Sequence, residues 1–145
     1  MRDETTLRFM RLRAGDSGLL VHAEDDVFDH EIEASRAETF LADHNHLLIV
    51  ACHDGRVVGQ VSAVVHRHID APCDLYIDNL GVAPAYRRRG IAARLVELTL
   101  EAGRDAQCAG AWVVTDSDNR AAKKFYRRSG AREESVSMFS YGSID

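Results

Sequence analysis

No stretch of this 145-residue chain approaches the roughly 20 consecutive apolar residues that a membrane-crossing helix needs, so no membrane partner is expected. Its opening, MRDETTLRFMRLR, alternates charged and apolar residues and lacks the continuous apolar core of a secretory signal, so a cytoplasmic location is expected. Cysteine is scarce. Cys52, Cys73 and Cys108 are odd in number and widely spaced, with no C-x-x-C pair, which argues against a disulfide framework or a zinc knuckle and leaves them as small buried hydrophobes. Repeats, low-complexity tracts and linker-like stretches are missing too, so residues 1–145 read as one domain.

What is present is uneven in charge. The net charge is −5, but residues 1–82 carry 7 basic and 15 acidic side chains, while residues 83–132 carry 11 basic and 5 acidic ones. A general nucleic-acid binder would be basic overall, so no nucleic-acid partner is expected. A small polyanion on one side and a neutral or cationic ligand on the other suit this split.

The period of the apolar residues sets the elements. Leu7–Leu12 reads as a first strand, and Asp16 or Ser17 caps a helix after it. Residues 22–33 are densely acidic and read as a loop or short helix, and Ile32–Ala42 as a helix with Ile32, Phe40 and Leu41 inward. Leu47–Cys52 is a continuous apolar run of strand length; Asp54-Gly55 makes a hairpin to a return strand, Val57–Val65. Leu75–Val82 is a strand, Gly90–Ala102 a helix with Ile91, Leu95, Leu98 and Ala102 on one stripe, and Ala111–Val114 a strand. Arg120–Ser129 is a helix ended by Gly130, and Val136–Tyr141 a closing strand. The order β-α-α-β-β-β-α-β-α-β predicts an α/β domain with a mixed sheet.

Two segments carry chemistry. From Asn79 to Ala92 a strand ends and a loop holding Arg87, Arg88, Arg89 and Gly90 runs straight into a helix. A helix N-terminus offers unpaired N–H groups and partial positive charge to a phosphate, Gly90 lets backbone approach, Ala92 keeps the first turn low, and three arginines add bidentate donors. A solvated basic turn before a helix is the competing reading. His44-Asn45-His46 and His66-Arg67-His68 each put two imidazoles on one strand face, but nothing is spaced to complete a metal site, so no metal is expected.

Leu80-Gly81-Val82 followed by Arg87-Arg88-Arg89-Gly90-Ile91-Ala92 resembles motif A of the GCN5-related N-acetyltransferases (GNAT superfamily), R/Q-x-x-G-x-G/A, with Arg87, Gly90 and Ala92 at its defining positions. Asn119 to Gly130 resembles that family's N-x-x-A-x-x-x-Y-x-x-x-G helix, through Asn119, Ala122, Tyr126 and Gly130. The resemblance implies a mixed, largely antiparallel central sheet flanked by helices, and acetyl-CoA as co-substrate with no metal. Backbone groups of Leu80, Gly81 and Val82 would hold the pantetheine arm, amides from Arg88 through Ile91 to Ala92 the pyrophosphate, and Asn119, Ala122 and Tyr126 would lie along the cofactor. Arg120, Lys123 and Lys124 either help at the adenosine end or form a solvated face.

Amine acetylation needs a neutral nucleophile, a polarised thioester and a proton for the departing thiolate. By the same resemblance Tyr126 is the general acid, with packing beside Phe125 as its alternative role, and Asp78 binds or deprotonates the amine, directly or through water. The acceptor would be a small, cationic primary amine, drawn by the acidic residues Glu24, Asp25, Asp26, Asp29, Glu31 and Glu33, with Glu133, Glu134 and Asp145 in the second acceptor region; a solvated acidic loop is the alternative. Phe28–Val82 is also similar to the aminoglycoside 3-N-acetyltransferase branch, but Asp78-Asn79 stands where that branch has an aromatic and then an acid. Strand alternation would face the displaced acid the other way. A protein or peptide N-acetyltransferase and a non-catalytic CoA-binding module are the alternatives, and the family allows a homodimer.

Overall fold

The computed structural model describes residues 6–145; the charged opening residues 1–5, part of the leader reading above, lie outside them. The chain forms two compact units, Met1–Val114 and Thr115–Asp145.

The first unit is a five-stranded sheet in the order β1 (Arg8–Leu12), β2 (His46–His53), β3 (Arg56–His66), β4 (Asp74–Val82), β5 (Gly110–Val113). Neighbours are antiparallel except β4 and β5, which are parallel. That parallel pair needs a crossover, supplied by helix α2 (Ile91–Asp105). The β2–β3 hairpin turns on Asp54 and Gly55 at φ 52° and 72°, the two left-handed positions that an Asp-Gly pair accepts. Tyr76 of β4 stacks on Trp112 of β5 with ring centroids 4.3 Å apart, a cross-strand pair that holds the short edge strand.

The unbroken apolar run in β2 has a plain cause: both of its faces are covered. Leu47, Ile49 and Ala51 pack with Leu75 and Ile77 of β4 and with Ile91 and Leu95 of α2. Leu48, Val50 and Cys52 pack with Leu20, Val27 and Leu41 on the other face, where helix α1 (Ala34–Ala42) lies. A strand buried on both sides has no polar face to alternate with. α2 follows the expected stripe, with Ile91 and Leu95 buried and Leu98 and Ala102 packed against them. Thr99, also buried, donates its hydroxyl to the Leu95 carbonyl at 2.7 Å.

Several expectations are corrected. The first helix is a 3-10 turn, Ser17–His22; the Asp16 carbonyl accepts the Leu19 N–H at 3.2 Å, but its side chain does not cap the turn and takes the Arg13 N–H of the preceding turn at 2.8 Å instead. His44 lies in the turn before β2 and His68 lies beyond β3, so neither histidine pair shares a strand face. His68 instead contacts Asp74 at 2.9 Å, and no metal-binding group occurs among the described residues. Cys73 and Cys108, far apart in sequence, meet with sulfurs 3.4 Å apart, yet all three cysteines are free. Burial, followed by the hydrogen bond with the Cys73 thiol, pushes Cys108 up to about 11, so it stays a neutral thiol at pH 7.

The second unit holds one helix, α3 (Arg120–Arg128). Asn119 caps it by accepting the Ala122 N–H at 3.0 Å, and Gly130 leaves it at φ 97°. The expected closing strand over Val136–Tyr141 is absent. Its apolar pattern has no paired neighbour among the described residues, and a strand without a ladder partner leaves its backbone to water. No helix among the described residues is long and apolar enough to cross a membrane.

Leu95 is fully buried between α2 and the sheet, so Leu95→Ala is expected to cost about 3 kcal/mol, or roughly 10 °C in melting temperature. Leu98→Ala, at a half-buried position, is expected to cost less than half of that in the same thermal melts.

Candidate active site

Strand β4 is irregular where it matters. Its register with β3 runs from Ala63 opposite Ile77 to Ser62 opposite Asn79, which leaves Asp78 as the extra residue of a β-bulge. The bulge shifts the phase of the strand. Leu75 and Ile77 before it and Leu80 and Val82 after it pack on the same side, although a regular strand would set the two pairs on opposite faces. It also brings Asp78 and Asn79 together into one cleft. The displaced acid of the sequence is therefore not turned away.

β5 pairs with β4 only from Asp74 to Ile77. Beyond that point, among the described residues, β4 has a paired neighbour on the β3 side alone. The Ala83 N–H donates to the Val58 carbonyl at 2.9 Å, so antiparallel alternation turns the N–H and C=O groups of Leu80 and Val82 away from β3, into the opening. Arg87 Nε donates to the Val82 carbonyl from that side at 3.2 Å.

The loop that follows is built to present N–H groups. A 3-10 turn, Pro84–Tyr86, leads into Arg88 and Gly90 with φ of 63° and 78°, and left-handed residues at this spacing curl backbone amides into a concavity suited to an anion. No side chain caps the N-terminus of α2, and its first turn holds no acidic residue, so Ile91 and Ala92 keep their helix-terminal amides open. The loop is clamped from below. Arg89 lies over the Tyr86 ring at 5.0 Å, and the Tyr86 hydroxyl meets His53 Nδ1 at 2.7 Å. Neither Tyr86 nor His53 stood out in the sequence, because their partnership crosses from the hairpin to the loop.

On the opposite face of β4 lies a cleft of about 310 Å³. Leu20, Phe28 and Phe40 help form its apolar lining, and Asp29, Glu31, Glu33 and Asp78 line it with carboxylates, against a single arginine, Arg36. The acidic segment is held against β4 by a close approach. A Cβ on Gly81 would stand 2.1 Å from the Val27 carbonyl oxygen, so only glycine fits there. Val27 also receives the Gln60 side-chain amide at 3.1 Å.

The remaining sequence-derived residues belong to the second unit. Tyr126 is half-buried on α3 beside Phe125, and burial raises its hydroxyl above the ordinary tyrosine value, so it is a protonated donor at neutral pH. Ala122 is half-buried, and Asn119 is engaged as the helix cap. Lys123 pairs with Glu133 at 2.9 Å, Arg127 pairs with the same carboxylate, and these cations hold the Glu133 carboxyl below its ordinary value. Arg120 and Lys124 are exposed.

The model of the acetyltransferase (GNAT) family matches residues 11–131. An uncharacterised N-acetyltransferase of Mycobacterium tuberculosis is 28% identical over 115 residues, which cover 79% of this chain and 71% of that protein. In fold the chain is similar to an aminoglycoside acetyltransferase from an uncultured soil metagenomic sample, solved in complex with sisomicin, with a TM-score of 0.83, 22% identity, and 94% of this chain and 96% of that chain covered. It is also similar to AAC(6′)-Iy in complex with the bisubstrate analogue CoA-S-monomethyl-acetylneamine, with a TM-score of 0.82, 16% identity, and 96% and 99% covered.

Two glycines of the site test its geometry separately. Gly81→Ala is expected to lose about 3 kcal/mol, because the added methyl overlaps backbone that cannot swing aside. Gly90→Ala meets open space and only a left-handed φ, so about 1–2 kcal/mol is expected from the same denaturant titrations.

Proposed function

Because the chain belongs to the GNAT family of acetyltransferases, whose model spans residues 11–131, we propose that it transfers the acetyl group of acetyl-CoA to a primary amine of a small, cationic molecule. The observation that carries this reading is the placement of two unlike sites on one strand. β4 opens toward an arginine-rich, amide-lined loop at its end and borders a carboxylate-lined cleft beside Asp78.

In this reading residues 1–145 act as one catalytic domain. The outward-turned backbone of Leu80 and Val82, with Gly81 between them, receives the pantetheine arm of acetyl-CoA, which supplies an activated thioester. Amides from Arg88 to Ala92, with the charge of Arg87 and Arg89, receive the pyrophosphate. Asn119, Ala122 and Tyr126 line the cofactor from α3. Asp29, Glu31 and Glu33 draw in an ammonium group, and Asp78 accepts its proton, directly or through water, so that the amine nitrogen becomes a nucleophile. As the nitrogen–acetyl bond forms and the carbon–sulfur bond breaks, Tyr126 gives its proton to the departing thiolate, and the proton that the acylated nitrogen sheds on becoming an amide returns to the tyrosinate through solvent. A tyrosine held neutral by burial suits that role. The fold likeness to aminoglycoside acetyltransferases makes amino sugars the first acceptors to try, with linear polyamines beside them.

Thiol release from acetyl-CoA is expected with aminoglycosides or polyamines, matched one for one by acetylated amine in mass spectra. Failure of every cationic amine, with turnover of neutral peptides, would overturn the acceptor class. Tyr126→Phe is expected to lower kcat by about 10²-fold or more, and unchanged turnover would remove Tyr126 from the mechanism. The sign of its pKa shift fixes a second outcome. Because the hydroxyl is raised, its donor form persists beyond the ordinary value of about 10, so loss of rate through this group comes only above that pH.

A further inference from the structure

Gln60 is fully buried in β3 and polar, in a strand whose neighbouring residues are apolar. Its Nε2 donates both hydrogens, to the Val27 carbonyl at 3.1 Å and to Asn79 Oδ1 at 2.5 Å. Asn79 Nδ2 in turn donates to Asp29 Oδ2 at 3.0 Å. The two ends of this chain are a backbone carbonyl and a carboxylate, and both only accept. Neither amide can turn over without setting acceptor against acceptor, so the direction of every bond is fixed from the ends inward.

The arrangement leaves Gln60 Oε1 buried with no partner among the described residues. The two bonds from Nε2 offset that cost, because an apolar side chain here would strand the Val27 carbonyl and Asn79 Oδ1 instead. What the chain of bonds does reach is the acidic wall of the cleft. The start of that segment is tied to β3 by the Glu24 N–H on the Val57 carbonyl and by Arg56 on Glu24. Its cleft-lining part, with Asp29, Glu31 and Glu33, is reached by the Gln60 and Asn79 side chains.

We propose that Gln60 is a positioning residue which, through Asn79, fixes Asp29 and the acidic wall over the cleft and so sets the affinity for the cationic acceptor. The proposal rests on the reading of the cleft as the amine site. Gln60 touches no reacting group in this account, so its effect falls on acceptor binding rather than on the chemical step.

Gln60→Met keeps the volume and removes both donors. It is expected to raise KM for an aminoglycoside or polyamine at least tenfold, with kcat and KM for acetyl-CoA within threefold of the parent. Amide hydrogen exchange over residues 27–33 is expected to quicken at least tenfold. Asn79→Asp sets a carboxylate against Asp29 and is expected to raise the same KM and to quicken the same exchange. Adding Asp29→Asn to it reverses donor and acceptor and is expected to bring the exchange over residues 27–33 back within threefold of the parent. Unchanged exchange in Gln60→Met, or a double variant no better than Asn79→Asp, would overturn the proposal. If no amine is acetylated by any form, the functional reading fails, and the exchange rates still decide whether the relay holds the segment.

Discussion

Everything at the site depends on β4 losing its neighbour halfway along. β5 accompanies it as far as Ile77, and from the bulge at Asp78 onward β4 is paired, among the described residues, through β3 alone. Unpaired strand backbone is a hydrogen-bonding surface that must be satisfied by something else, either water or an extended ligand. The same bulge re-phases the strand, so that Leu80 and Val82 still reach the core while Asp78 and Asn79 both face the cleft. One extra residue thus creates an open edge and a polar corner on the same strand.

The charge asymmetry acquires a spatial meaning from this strand. The acidic part of the chain supplies Asp29, Glu31, Glu33 and Asp78 to the cleft, whereas the basic part begins with Arg87, Arg88 and Arg89 at the head of α2. In the function proposed, a polyanionic carrier and a cationic acceptor would each be attracted to its own side and repelled from the other. The interior packing supports the division quietly. Gly81 admits the Val27 carbonyl, Tyr86 and His53 brace the loop, and Gln60 and Asn79 reach the acidic segment.

Much of this is legible in the sequence itself. Apolar period placed β2, β3, β4 and α2 within a few residues, Asp54-Gly55 fixed the hairpin, and the Arg87–Ala92 loop was recognisable because its signal is local: a strand, a glycine and a helix start in sequence. What escaped was non-local. The bulge at Asp78 is a property of the register between two strands, and no single-strand pattern reveals it. The Tyr86–His53 brace joins residues 33 apart. Gln60 did leave a trace, as the one strongly polar side chain in Val57-Val58-Gly59-Gln60-Val61, but its partners lie on β4 and in the acidic segment, whose seat against the sheet no local pattern gives. The closing strand over Val136–Tyr141 had the right composition and lacked a ladder partner, which composition cannot supply.

The central claim is that the open half of β4 and the loop after it form the acetyl-CoA site. Backbone amide NMR of the uniformly ¹⁵N-labelled chain during titration with acetyl-CoA tests it most directly. The largest saturable shifts are expected at Leu80, Val82 and Arg88 to Ala92, with β1 and the start of β2 unmoved. A saturating titration that leaves those amides in place, or that moves residues elsewhere instead, would contradict the account.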